Sequence, residues 1–240
     1  MTVAFVQANW STQVNTVTFN GNCTKGNLLT VLIRVGGGSA SWSSGSVSDS
    51  LGNSYTPVWS SIQSPSGGSI LKFLNAYYCL SGASGPNVVT LSGNQGGYNR
   101  IVMICMEFSG FSSVATLDQS VVLASAGSGS FIPLTFNTTF QNEAIACYEE
   151  NNSGGGTDPT VNSPFSLATP GQTAGTGGSS SEYLTTNSPG SYTLNGSFTS
   201  GSGNTNIAFG FTVASPVPLV STTADKLFGT GRAAGFGVIG

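Results

Sequence analysis

NLLTVLIRV, residues 27–35, decides the fold: nine residues of which six are apolar, rich in β-branched side chains and closed by Gly36-Gly37-Gly38. A run that short and that continuous is the length of a central strand and too short for a helix of ordinary size. RIVMICMEF, residues 100–108, has the same character.

Working outward, further strands are expected at Thr12 to Phe19, Ser46 to Asp49, Ser54 to Ser60, Ser69 to Cys79 and Asn87 to Leu91, and then at Phe131 to Phe136, Asn142 to Glu149, Ser191 to Phe198 and Asn206 to Val213. Leu51-Gly52-Asn53 reads as a hairpin turn between the second and third of these, and Pro57 places the third on a sheet edge, because proline has no N–H to give a ladder. Glycine and proline pairs punctuate the chain at Gly67-Gly68, Gly85-Pro86, Gly96-Gly97 and Pro189-Gly190. No segment carries a capped 3.6-residue apolar period. The expectation is an all-β chain: a two-sheet antiparallel β-sandwich, jelly-roll-like, with about ten to twelve strands.

Residues 1–214 are expected to form one sandwich domain. Residues 151–181, rich in glycine, serine, threonine and proline, read as a long loop within it, and residues 215–240 as a C-terminal arm. Leu227, Phe228, Phe236, Val238 and Ile239 on that arm gain nothing while exposed, so they are candidate assembly contacts.

Composition narrows the function. Only 6% of the 240 residues are charged, and the formal net charge is −3. A surface of hydroxyls and amides with so little self-repulsion suits a protein held in a fixed assembly. The six basic residues are scattered rather than clustered, which argues against nucleic acid as a partner. No run reaches the roughly 18 apolar residues of a membrane-spanning helix. The N-terminal MTVAFVQANW has no basic segment followed by an apolar one, so either a signal peptide has already been removed or, as the favoured expectation, the protein leaves its cell without one.

The chain has no histidine. Serine–histidine, cysteine–histidine and histidine–metal chemistries are therefore excluded, leaving carboxylate pairs or oxygen-only metal sites. No two of the nine carboxylates are obviously brought together by the strand reading, and the expectation is a non-enzyme with no cofactor. Glu149 or Glu150 with Asp158 could hold a calcium ion, although the dense acidic spacing of a calcium loop is missing. Glu107 and Arg34 both follow apolar runs, so an ion pair between them across strands is attractive. Asp49, ahead of Ser50-Leu51-Gly52-Asn53, can accept backbone N–H bonds and shape that turn. Cys23, Cys79, Cys105 and Cys147 are too widely spaced for a metal knuckle and read as buried thiols, with one or two disulfides as the alternative. Trp42, Tyr98 and Tyr183 are candidate glycan contacts, since rings in loop-like context can stack on sugars.

GNLL (Gly26 to Leu29), VSDSLGNSY (Val47 to Tyr55), AYY (Ala76 to Tyr78), EFSGF (Glu107 to Phe111) and LD (Leu117-Asp118) together resemble a pattern in uncharacterised β-sandwich proteins of bacteria and phages. The resemblance covers the first half of the chain, implies a sandwich fold, and offers no established active site. The resulting expectation is a structural or interaction protein of an extracellular or virion assembly: a phage virion component such as a capsid decoration protein or a tail-associated adhesin, self-associating or bound to other virion proteins. A carbohydrate-binding module is the alternative.

Overall fold

The computed structural model describes residues 2–36, 45–61, 63, 72–93, 100–111, 113–125, 131–151, 159–174, 177–198 and 206–216. They form seventeen strands and no helix. The first half of the chain supplies β1 (Ala4–Thr12), β2 (Thr16–Thr18), β3 (Leu28–Gly36), β4 (Ser46–Asp49), β5 (Thr56–Pro57), β6 (Lys72–Leu80), β7 (Val88–Ser92) and β8 (Arg100–Ser109). The second supplies β9 (Thr116–Ser125), β10 (Leu134–Thr138), β11 (Glu143–Asn151), β12 (Thr160–Val161), β13 (Ser166–Ala174), β14 (Gly177–Thr186), β15 (Gly190–Leu194), β16 (Gly196–Ser197) and β17 (Asn206–Ala214).

All pairings are antiparallel. A five-stranded sheet runs β1-β8-β3-β6-β5, and a three-stranded sheet β2-β7-β4 covers one of its faces. A second five-stranded sheet runs β9-β17-β11-β14-β13, covered on its outer face by the pairs β10-β15 and β12-β16. The two large sheets then pack on each other. The expected pair of sheets is therefore replaced by two sandwiches set back to back, giving four layers.

That stacking is the physical reason NLLTVLIRV lacks alternation. Successive side chains of a strand point to opposite faces. Leu28 and Leu32 enter the central layer with Val102, Ile104, Phe209 and Phe211, while Leu29, Val31, Ile33 and Val35 face the three-stranded sheet with Val17, Val89 and Leu91. With both faces of β3 buried, every position must be tolerant of an apolar environment. The strand is apolar throughout because it has no wet side.

Two further expectations change. Ser46–Asp49 and the Pro57 strand do not form a hairpin: β4 pairs with β7 and β5 with β6, so Leu51-Gly52-Asn53 turns a corner between two sheets. Pro57 does lie on a sheet edge. The stretch 151–181 is not one loop, since it contains β12, β13 and the first part of β14. Ser179, Ser180 and Ser181 are buried there, and the hydroxyls of Ser181 and Thr169 lie 2.6 Å apart. Backbone ladders do not depend on side-chain polarity, so a strand of buried serines has no apolar pattern to announce it. The assembly residues Leu227, Phe228, Phe236, Val238 and Ile239 lie outside the described residues.

Gly110 ends β8 where the chain crosses from the first half to the second. Its φ is +85°, and a Cβ there would meet the Thr2 carbonyl oxygen at 2.1 Å. Gly110→Ala is expected to lower stability by about 2–3 kcal/mol, through left-handed strain and displacement of backbone. A urea titration with an unchanged midpoint would refute this.

Candidate functional site

Charge in this protein is scarce, and among the described residues much of it lies inside. Glu107, Glu143, Glu149, Glu150 and Glu182 are buried, as is Arg34. Carboxylates are rarely buried without partners, so each of these positions needs an account.

Arg34 does not pair with Glu107. On β8, Glu107 shares a face with Met103 and Cys105, toward the three-stranded sheet, whereas Arg34 shares a face of β3 with Leu28 and Leu32, toward the central layer. A single sheet separates them. Glu107 is satisfied by neutral donors: Gln7 Nε2 at 2.5 Å, the Thr24 backbone N–H at 2.8 Å and Asn27 Nδ2 at 2.7 Å. Arg34 reaches across the central layer instead, and its Nη2 donates to Glu150 Oε1 at 2.6 Å. The Tyr148 hydroxyl donates to the other oxygen of Glu150 at 3.2 Å.

Glu149 and Glu150 are neighbours in sequence and point to opposite sides of β11. Glu149 faces outward with Ile145 and Cys147, beneath β10 and β15, and accepts a hydrogen bond from the Ile132 backbone N–H at 3.1 Å. In the β11–β14 ladder Cys147 is opposite Glu182 and Glu149 opposite Ser180, so the two carboxyls are diagonal neighbours on one face. Glu182 takes a hydrogen bond from the Ser180 hydroxyl. Burial, reinforced by the charge of Glu182 and opposed by the Ile132 N–H, pushes the Glu149 carboxyl up to about 10. Burial, opposed by Ser180, pushes that of Glu182 up to about 8. Among the described residues neither faces a cation.

A second hub is Asp49. It accepts from the Asn53 backbone N–H at 2.9 Å, as the sequence implied, and also from Asn53 Nδ2, the Tyr55 hydroxyl and Asn87 Nδ2 at 2.7, 3.0 and 2.9 Å. Burial alone would raise its pKa, but the donors from Asn87, Asn53 and Tyr55 prevail and hold it below the usual carboxylate range. Asn53 Oδ1 in turn accepts from the Gly82 N–H at 2.8 Å. The SDSLGNSY stretch is thus a knot tying the corner after β4 to the connection between β6 and β7. Asp49→Ala should cost about 2–3 kcal/mol by orphaning several donors, while Asp49→Asn should cost less. Equal midpoints for the two variants in chemical denaturation would contradict that account.

The sequence-derived candidates divide as follows. Tyr183 is in β14 rather than a loop; it is half-buried, its ring stacked on Phe5 with centroids 3.9 Å apart and edge-on to Phe108. Trp42, Tyr98 and Asp158 lie outside the described residues. Glu150 is committed to Arg34 and Glu149 to the opposite face, so the two do not share a site. Among the described residues no group of three or more acidic or cysteine side chains is arranged to hold a metal. All four cysteines are buried free thiols.

The buried carboxyl pair was not foreseen. Its one sequence signal is parity: within NEAIACYEE, Glu149 falls in step with Ile145 and Cys147, and Glu150 in step with Ala146 and Tyr148. These features define an antiparallel all-β protein that, among its described residues, buries five glutamates and one arginine. No family model, curated protein or solved structure matches the chain.

Proposed function

We propose that the protein is a structural or interaction subunit of an extracellular or virion assembly, and more specifically a phage virion component: a capsid decoration protein or a tail-associated adhesin. The observation that carries this reading is the strand order. Each half sets its first strand beside its last and its third between its last and its sixth, with the second and seventh strands paired in a covering layer. That order resembles the wrapped order of a jelly roll, an architecture used by viral capsid and lectin domains. The step from fold to role is an analogy. Scarce charge adds support, because a surface of hydroxyls and amides can be buried against neighbours without desolvating ions.

The test is association. Full-length protein mixed with candidate particles is expected to co-sediment with them and to decorate them in negative-stain micrographs. A monomer that stays in the supernatant at all concentrations overturns the proposal.

A further inference from the structure

The two halves share more than strand order. Leu28 and Ala144 both face the central layer at the starts of the corresponding strands β3 and β11, which makes them equivalent; in the ladders Leu28 is opposite Phe108 and Leu80, and Ala144 is opposite Val213 and Thr185. Carried along the chain, this alignment matches Gly26 (φ 87°) with Asn142 (φ 60°), each just before its strand in the left-handed region. It matches the bulge that skips Val6 in β1 with the bulge that skips Asp118 in β9.

It also matches Gln7 with Gln119, and the two side chains do the same thing. Gly21 N–H donates to Gln7 Oε1 at 2.7 Å while Gln7 Nε2 donates back to the Gly21 carbonyl at 3.4 Å. Asn137 N–H donates to Gln119 Oε1 at 2.8 Å while Gln119 Nε2 donates back to the Asn137 carbonyl at 2.6 Å. Bulges, left-handed positions and side-chain brackets are local devices that strand order alone would not reproduce.

The halves meet reciprocally at the level of strands. Tyr183 of β14 packs on Phe108 of β8, and its equivalent Tyr78 of β6 packs on Phe211 of β17, the strand equivalent to β8. Contacts of i with j and j with i are the signature of a twofold interface, in which residues on the axis meet their own equivalents. Arg34 and Glu150 are equivalent positions, and they meet.

We propose that the chain is a tandem duplication folded as an internal dimer, and that Arg34 and Glu150, facing each other at its pseudo-twofold axis, restrict each half to the unlike half and so prevent like-half pairing between two copies. With two first halves, guanidinium would face guanidinium in a buried layer; with two second halves, carboxylate would face carboxylate. Only the mixed pair is neutral. Polar groups at such positions select partners more than they add stability.

A charge-reversal cycle in the full chain tests this. Arg34→Glu and Glu150→Arg are each expected to melt about 10 °C below the parent, and the double reversal to recover more than half of that loss. A double variant no better than the weaker single overturns the proposal. Should a single variant not fold, an uncharged chain, Arg34→Met with Glu150→Met, is cut at a protease site inserted after Ser113. Native mass spectrometry is expected to find like-half pairs that the cut parent lacks. The same mixed pair alone from both chains overturns the proposal.

Discussion

Raising the pH from about 6 to about 10 is expected to strip the protein of on the order of 5 kcal/mol of stability, with the loss centred on the outer layer of the second half. Glu149 and Glu182 are buried as diagonal neighbours on the face that carries Ile145, Cys147 and Leu184, with Cys147 directly opposite Glu182. Both carboxyls have folded pKa values above the ordinary 4.5, at about 10 and about 8. A group whose pKa is raised by folding favours the folded state fully below its unfolded value, and that contribution disappears as the pH climbs through the folded value. The window therefore opens above about 4.5 and closes through about 8 and about 10, the two groups titrating as a coupled pair. Glu149→Gln with Glu182→Gln keeps the oxygens that accept from Ile132 and Ser180 and has no charge to develop. Urea titrations of this variant should give midpoints that barely change over the same range. A parent protein equally stable at both pH values would show that the pair is not buried as described.

Phe209→Ala should cost about 3–5 kcal/mol, the range for removing a fully enclosed phenylalanine. Phe209 is buried on β17 in the central layer, 5.3 Å between centroids from Tyr148 of its own half and 6.1 Å from Trp59 of the other. Its ring is part of what joins the halves, so one cavity loosens both sandwiches. Unfolding should remain a single transition, with a lower urea midpoint and an unchanged slope. Leu123→Ala, at a residue 40% exposed on the edge strand β9, is the control and should change stability by less than about 0.5 kcal/mol. A loss below about 1 kcal/mol for Phe209→Ala, or two separate transitions, would mean the halves do not share a core.

The elements legible beforehand were those whose side chains report their surroundings. NLLTVLIRV became β3, RIVMICMEF became β8, and the expected strands at Asn87 to Leu91 and Asn206 to Val213 became β7 and β17. β1, β9, β12, β13 and β14 were missed. β13 and β14 are built largely of glycine, serine and threonine, and β1 and β9 lie at sheet edges where polar and apolar residues mix. Asp49 was legible as a turn former because its nearest donor is four residues away; Asn87, 38 residues on, was not.

What the amino-acid sequence determined by itself was the all-β character, the absence of imidazole chemistry and the turn that Asp49 shapes in SDSLGNSY, all of which depend on residue type or on neighbours within a few positions. Tertiary structure alone decided how many layers form, which face each strand turns inward, and that Arg34 meets Glu150 rather than Glu107. The reason is geometric. Alternation along a strand says which residues share a face but not what that face meets, and backbone hydrogen bonds join strands without regard to side chain, so partners more than a hundred residues apart are chosen only when whole sheets close on one another.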